Sequence, residues 1–368
     1  MGFCTLDIVF SHFKDNQQHN MHMGSKGLLE RLQNGGYVLI AEGYVMEIER
    51  RGYLQAGGFV PEVVLEHPEI VKGLHREFIH AGTDVVEALM YFGHREKLKA
   101  VGRENDLENL NRTALKIARD LANETGTLMA GGLCCTTIYD VDNPDTHGKV
   151  RSIFKEQVEW AVTEGADYMI AETIHSYGEA KLALEAIQQY GKGMPAVVTL
   201  TCLIPDETTD GVPIAEACRK LEEAGAAVVG LNCGRGPSTM LPALREIRKA
   251  CKGPIAALPV TYRTREDCRS WSSLKDPVSG KSLYPKNLAC VMSSRDDIRE
   301  FAEEANAIGV NYIGLCCGNA PFYFRELAEV YGRKPEACKY SPDLSLNVIL
   351  EGTNSSLQKL REYAFGKK

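Results

Sequence analysis

The sequence predicts a (β/α)8 barrel, and three observations support this fold class. Eight short apolar runs rich in β-branched residues alternate with stretches in which apolar residues recur every three or four positions. Several joints from helix to strand carry a glycine just past the helix, as in Glu223-Ala-Gly-Ala-Ala-Val228. No Gly-x-Gly-x-x-Gly motif follows the first run, which counts against an open doubly wound sheet that binds a dinucleotide.

Each of the eight runs is predicted to be a parallel strand. The runs are apolar at consecutive positions, as expected of strands that are buried on both faces. In chain order they cover residues 37–40, 84–86, 128–130, 168–171, 196–200, 227–231, 255–258 and 312–315. Eight is also the number of strands that closes an α/β barrel.

The stretches between the runs predict amphipathic helices. Their apolar positions span residues 70–78, 110–121, 153–161, 180–187, 214–221, 241–247, 298–305 and 324–330. The loop before the eighth strand is long, at about residues 262–294, and is enriched in Arg, Ser, Asp and Pro. Loops of this kind usually cover the C-terminal face of a barrel, where active sites lie.

The repeat divides the 368-residue chain into three parts. Residues 1–26 are mostly polar and predict a flexible leader, since they lack the basic and apolar regions of a secretory signal. Residues 27–334 form the predicted barrel. Residues 335–368 lie outside the repeat as a short C-terminal extension, in which residues 350–363 suit an added helix.

Composition narrows the class of protein further. Asp and Glu outnumber Lys and Arg by 49 to 42, a formal net charge of −7, so no basic excess is available for a nucleic-acid partner. No apolar run approaches the length that spans a membrane. Without a secretory signal, we expect a cytoplasmic protein whose twelve cysteines do not form a disulfide framework.

Three of the cysteines stand where a barrel places its catalytic groups. Cys233 follows the sixth strand in Gly230-Leu-Asn-Cys-Gly234, and Cys316 and Cys317 end the eighth in Gly314-Leu-Cys-Cys-Gly318. An isolated cysteine is more often a small buried residue. Three cysteines at two strand ends instead predict a catalytic Zn²⁺ site, with three protein ligands and an open fourth position. For Cys134 and Cys135, which are predicted to follow the third strand, packing is the default.

Three carboxylates are predicted at the same end of the barrel. Glu42 and Glu87 follow the first and second strands, and Glu172 ends the fourth strand. Each alone has the alternative of a surface ion pair of little energetic value. Together they favour a substrate that carries a cationic group.

The paired cysteine motif resembles the zinc-binding signature of the homocysteine S-methyltransferase family. The similarity to its betaine–homocysteine branch extends from about residue 27 to 331. It includes the segments Leu28-Leu-Glu-Arg-Leu32, Arg51-Gly-Tyr-Leu-Gln-Ala-Gly57 and Leu74-His-Arg-Glu-Phe78. The resemblance implies a (β/α)8 barrel, zinc held by Cys233, Cys316 and Cys317, and methyl transfer to a thiol.

The resemblance also implies where the amino-acid thiol binds. Glu172 matches the family's fourth-strand glutamate and is assigned with the three cysteines to catalysis. After the first strand, the family's Asp-Gly-Gly is Ala41-Glu-Gly43 here, so an acid has moved to Glu42. We therefore predict that Glu42 and Glu172 recognise the substrate ammonium group. Gly43 and Asn232 are assigned to the same substrate site.

The methyl donor is implied to be a small onium ion held by aromatic side chains. Phe59 matches the donor-cage tryptophan of the betaine branch, and Tyr91-Phe92 reverses its Phe-Tyr pair. Tyr44 lies just past the first strand and is a further candidate. Thr173 replaces the aromatic residue that follows the fourth-strand glutamate. The cage is therefore expected to be looser or shifted, which favours a donor that differs from glycine betaine in size or charge.

The predicted function is zinc-dependent methyl transfer from a betaine-like onium donor to homocysteine, which gives methionine. One alternative keeps this chemistry with another acceptor, or with S-methylmethionine, a sulfonium betaine or a corrinoid protein as donor. A second alternative is a barrel that binds zinc but is catalytically inactive and serves as a binding or scaffold protein. A homo-oligomer is also left open, because the C-terminal extension that links subunits in the betaine branch is shorter here.

Overall fold

The eight predicted strands form a closed parallel barrel with the strands in chain order. A computed structural model gives the structure of residues 27–347, 349 and 355–366, so the predicted leader lies outside the described residues. The strands are β1 (Val38–Ala41), β2 (Val85–Glu87), β3 (Leu128–Cys134), β4 (Tyr168–Ile174), β5 (Ala196–Leu200), β6 (Val228–Asn232), β7 (Ile255–Leu258) and β8 (Tyr312–Leu315). Val38 of β1 pairs with Tyr312 of β8, which closes the barrel.

All residues of the eight strands are buried. This confirms the prediction that both faces of each strand are buried. Two strands are longer than the predicted runs. The ladder between β3 and β4 continues as far as the pair Cys134 and Glu172. Cys134 therefore belongs to β3, whereas the sequence predicted that it follows the strand.

Helices alternate with the strands along the chain. In chain order they are α1 (Leu28–Leu32), α2 (Tyr44–Arg50), α3 (Val63–Glu66), α4 (Pro68–Ala81), α5 (Arg95–Ala100), α6 (Leu107–Thr125), α7 (Asp145–Thr163), α8 (Tyr177–Tyr190), α9 (Ile214–Glu223), α10 (Pro237–Ala250), α11 (Arg295–Ile308), α12 (Pro321–Val330) and α13 (Ser355–Phe365). The predicted glycine caps are present, since Gly82 and Gly309 end α4 and α11 with φ of 109° and 87°.

The long loop between β7 and α11 folds over the carboxyl end of the barrel, as the sequence predicts. Trp271 of this loop is 8% exposed, and its ring stacks on that of Tyr262 at 5.5 Å between centroids. The ring of Tyr284 meets Trp271 edge-on at 5.1 Å. The loop therefore brings two aromatic side chains to the face where the strands end.

The C-terminal extension continues directly from α12. Arg325 of α12 donates hydrogen bonds to the carbonyl oxygens of Ala337 and Tyr340, at 3.4 and 3.3 Å. The predicted added helix corresponds to α13. Among the residues that the structure describes, no helix has both the length and the apolar character required to cross a membrane.

Candidate active site

Three cysteine sulfurs converge at the carboxyl ends of β6 and β8. The Sγ atoms of Cys233, Cys316 and Cys317 all lie within 4.8 Å of one another. The distance is 3.7 Å from Cys233 to Cys317 and 3.9 Å from Cys316 to Cys317. Sulfurs that share a tetrahedral metal ion at a metal–sulfur distance of about 2.3 Å are about 3.8 Å apart. The cluster therefore has the spacing of a three-thiolate metal site.

The three thiols share their charge unequally. Hydrogen bonds from Cys316 and Cys317 lower the pKa of Cys233 well below its usual value. The hydrogen bonds that Cys316 and Cys317 give to Cys233 raise their own pKa values, and burial and the negative charge on Cys233 raise them further. Three thiolates can thus coexist here only beside a cation, which is the role that a coordinated metal performs.

Gly43 allows the chain after β1 to approach the cysteine pair closely. Its φ is +81°, and a Cβ atom built on it would lie 2.3 Å from the carbonyl oxygen of Cys316. A side chain there would push the backbone of β1 away from β8. Gly43 thus helps to form the site through the absence of a side chain, which differs from the substrate-binding role predicted for it.

We expect Gly43→Ala to destabilise the protein and to displace Cys316. Gly102→Ala is a matched control, because Gly102 also has a positive φ of +71° but would place its Cβ in open space. Both variants carry the backbone strain of a left-handed alanine, and only Gly43→Ala adds the clash. Urea unfolding should show a loss larger by about 1–3 kcal/mol for Gly43→Ala. Equal losses for the two variants would contradict this account of Gly43.

Asn232 connects two of the carboxylates beside the cysteine cluster. Its side-chain nitrogen lies 3.0 Å from Oε2 of Glu172, 3.2 Å from Oε2 of Glu42 and 2.8 Å from Oγ1 of Thr173. Its side-chain oxygen accepts the backbone N–H of Thr173 at 2.8 Å. Because Asn232 precedes Cys233 in the chain, the same strand end fixes a metal-ligand candidate and both carboxylates.

The carboxylates lie in an environment that is short of positive charge. Burial, together with the charge of Cys233, raises the pKa of Glu172 to about 7. Burial and the nearby Glu172 raise the pKa values of Glu42 and Glu87 well above the usual range. Oε1 of Glu42 is buried without a hydrogen-bond partner among the described residues. A bound cation would relieve this shortage.

Glu42 is buried, and the alternative of a surface ion pair is wrong for it. Only 1% of this residue is exposed. Its contact with Asn232 turns it toward the interior of the barrel mouth, so the sequence placed it correctly beside Glu172.

A cavity of about 310 Å³ lies above the cysteine cluster. The three cysteines, Glu87 and Glu172 all line it. Six aromatic side chains from several loops complete much of the wall: Tyr44, Phe59, Tyr91, Phe92, Trp271 and Tyr284. Its size is at the lower end of the range for small-molecule sites.

The structure brings most of the predicted site residues to this cavity. Gly43, Tyr44, Phe59, Tyr91, Phe92, Glu172 and Thr173 line it together with the cysteines. Glu42 and Asn232 are buried, and Asn232 contacts both Glu42 and Glu172, but neither residue is among the lining residues.

The lining also contains residues that the sequence analysis did not assign to the site. These are Cys135, His175, Trp271 and Tyr284, among others. The long aromatic-bearing loop was a usable signal for Trp271 and Tyr284. Cys135 and His175 had no signal beyond their positions after β3 and β4.

Backbone strain is concentrated around the cavity. Phe59, Phe92, Thr173 and Cys233 adopt positive φ values between 51° and 56°. Each such conformation costs about 1–3 kcal/mol in a residue other than glycine, and strain of this kind is typical of functional sites. Here it turns four side chains toward one cavity.

Comparisons with known proteins identify the family to which the chain belongs. Residues 39–331 match the family model described as homocysteine S-methyltransferase. Betaine–homocysteine S-methyltransferase 1 of Mus musculus is 35% identical over 313 residues, which cover 83% of this chain and 74% of the mouse protein. S-methylmethionine–homocysteine S-methyltransferase BHMT2 of Pongo abelii is 32% identical over 314 residues, covering 84% and 82% of the two chains.

A solved structure supports the fold. The metallated form of the homocysteine methyltransferase MmuM from Escherichia coli superposes with a TM-score of 0.63, at 19% identity over 80% of this chain and 96% of that one. The chain therefore belongs to the homocysteine S-methyltransferase family, and it is a methyltransferase similar to the betaine–homocysteine type. The family resemblance seen in the sequence is confirmed.

Proposed function

We propose that the protein is a zinc-dependent enzyme that transfers a methyl group from a small onium donor to the sulfur of homocysteine, giving methionine. The observation that carries this proposal is the three-sulfur cluster, which opens onto a cavity lined by Glu172 and by aromatic rings. The sulfur separations of 3.7 and 3.9 Å support zinc as the ion that fits. We place the protein in the cytoplasm, where a reducing environment keeps the three cysteines available as metal ligands.

Cys233, Cys316 and Cys317 would hold the zinc. When bound, zinc supplies the charge that keeps a substrate thiol deprotonated at neutral pH, where a free thiol is mostly protonated and weakly nucleophilic. In the transfer itself, the homocysteine sulfur attacks a methyl carbon of the donor. A sulfur–carbon bond forms while the bond from carbon to the onium nitrogen or sulfur breaks, and its electron pair leaves with the demethylated donor. The thiol proton has already passed to solvent.

The chain's own residues would bind and align the two substrates. Glu172, with Glu42 behind it, would accept hydrogen bonds from the ammonium group of homocysteine. Asn232 holds both carboxylates in place. Alignment of the sulfur with the methyl carbon supplies much of the rate in a displacement of this kind.

The aromatic side chains would hold the methylated cation. A cation over an aromatic face gains about 0.5–2 kcal/mol, and more where water is excluded. Phe59 is 9% exposed and lines the cavity with Tyr44 and Tyr91. These rings support a donor site above the cysteine cluster.

We expect Phe59→Ala to raise the donor KM by about tenfold, because the variant removes one cation–π face from a desolvated site. Zinc content and the KM of homocysteine should stay unchanged. Phe322→Ala, at an exposed ring outside the cavity, is the matched control. Lower stability without a donor-specific change would show that Phe59 only packs the wall.

Measuring methionine formation distinguishes an enzyme from a barrel that binds zinc without catalysis. The zinc-loaded chain is incubated with homocysteine and, in separate reactions, with tetramethylammonium, choline, glycine betaine and S-methylmethionine. The proposal expects methionine from at least one donor. Stoichiometric zinc with no turnover on any of them would favour the inactive barrel.

A further inference from the structure

We propose that the methyl donor is an onium ion that carries net positive charge and no carboxylate group, and that Glu87 is its counter-ion. Tetramethylammonium and choline represent this chemical class, whereas glycine betaine does not. The inference rests on the proposed function and specifies its donor.

The first argument is the charge of the cavity wall. Glu87 and Glu172 line the cavity, and Glu42 lies behind Glu172. Within residues 27–347, 349 and 355–366, no lysine or arginine is among the lining residues. His175 lines the cavity, but burial lowers its pKa, which favours the neutral ring. A donor carboxylate would therefore be buried beside other carboxylates without a cationic partner, which is strongly unfavourable.

Lys97 does not change this balance. Its Nζ lies 3.9 Å from the centroid of the Phe92 ring, and Lys97 is not itself a lining residue. The ammonium therefore already occupies one face of Phe92. Phe92 can offer a donor at most its other face, so the cage depends more on Tyr44, Phe59 and Tyr91.

The second argument is the position of Glu87. It is the last residue of β2, is 4% exposed and shares a carboxyl hydrogen bond with Glu172. Burial and the nearby Glu172 raise the pKa of Glu87, and a cation bound beside it favours the ionised form that serves as counter-ion. The Tyr44 hydroxyl is close enough for Glu87 to raise the pKa of Tyr44, whose main shift comes from burial. Glu87 thus lies between the carboxylate assigned to the thiol substrate and the aromatic wall assigned to the donor.

These two features together select a donor class. Aromatic faces bind methylated cations whether or not the donor also carries a carboxylate. A carboxylate in the wall discriminates, because it attracts a net cation and repels the anionic end of a zwitterion. Glu172 and Glu42 are assigned above to the ammonium group of the acceptor, so we assign Glu87 to the donor.

The reaction balances with such a donor. The homocysteine thiolate takes a methyl group from tetramethylammonium, forming the sulfur–carbon bond of methionine. The carbon–nitrogen bond breaks, its electron pair stays on nitrogen, and trimethylamine leaves as a neutral product. No oxidant, reductant or further co-reactant is required.

The test measures kcat/KM of the zinc-loaded full chain for tetramethylammonium, choline and glycine betaine at saturating homocysteine. We expect the better carboxylate-free cation to exceed glycine betaine by at least about tenfold. Glu87→Gln should raise the KM of that cation by about tenfold or more and should lower the KM of glycine betaine, whose carboxylate Glu87 repels, so the preference falls. Glu104→Gln, at an exposed site, should change neither donor.

Other outcomes are equally clear. A higher kcat/KM for glycine betaine in the wild type, or loss of its turnover in Lys97→Gln, would overturn the inference and leave the proposed function intact. Unchanged donor preference in a folded Glu87→Gln variant would also overturn it. If Glu87→Gln does not fold, the test rests on the wild-type protein alone, through the ratio of kcat/KM for the carboxylate-free cation to kcat/KM for glycine betaine. Absence of methionine with every donor, S-methylmethionine included, would instead overturn the proposed function.

Discussion

Replacing Cys316 with alanine should remove zinc and methyl transfer together. The variant leaves two sulfur ligands where three converge within 4.8 Å, and a two-ligand site holds zinc weakly. We expect a loss of affinity for zinc of at least about 100-fold and a parallel loss of activity. Metal content after dialysis against a weak chelator, followed by turnover, measures both effects.

Cys290→Ala is the matched control for this experiment. Cys290 is exposed and does not line the cavity, so it is not expected to bind the metal or the substrates. It should keep full zinc content and full activity. Full zinc occupancy in Cys316→Ala would show that the three-cysteine assignment is wrong.

Glu172→Gln should have the second largest effect. The variant keeps the shape of the side chain but removes the charge that we assign to the homocysteine ammonium group. Loss of one partner from a buried charge pair costs about 2–5 kcal/mol. We expect kcat/KM for homocysteine to fall by at least about 30-fold, chiefly through KM, while zinc content stays near the wild-type value.

Glu42→Gln tests whether Glu42 binds the homocysteine ammonium group directly or only helps to position Glu172. Glu42 contacts Asn232 and does not line the cavity, so its effect on homocysteine should be clearly smaller than that of Glu172→Gln. If both variants bind homocysteine as tightly as the wild type, the acceptor is not an amino-acid thiol. Titration calorimetry with the zinc-loaded variants gives this comparison directly.

Most of the fold could be predicted because it depends on local patterns. Apolar runs located all eight strands, and glycines marked the ends of helices such as α4 and α11. The lengths of β3 and β4 could not be predicted. They are set by pairing between the strands, which extends as far as Cys134 and Glu172.

The candidate site likewise has features that the sequence predicts and features that it does not. Strand-end position and residue type were sufficient to place the three cysteines, Glu42, Glu87 and Glu172 at one mouth. The inward orientation of Glu42 depends on Asn232, almost two hundred residues away in the chain. The arrival of Trp271 and Tyr284 depends on how a long loop folds back over the barrel. No short-range pattern contains this information.

The fate of the donor methyl group tests the central claim most directly. The zinc-loaded chain is incubated with homocysteine and with onium donors whose methyl groups are fully deuterated, beside the same chain stripped of metal. The account predicts methionine that carries an intact deuterated methyl group, formed only by the metal-loaded protein. Labelled methionine at equal rates from the stripped protein, or none from any donor, would contradict it.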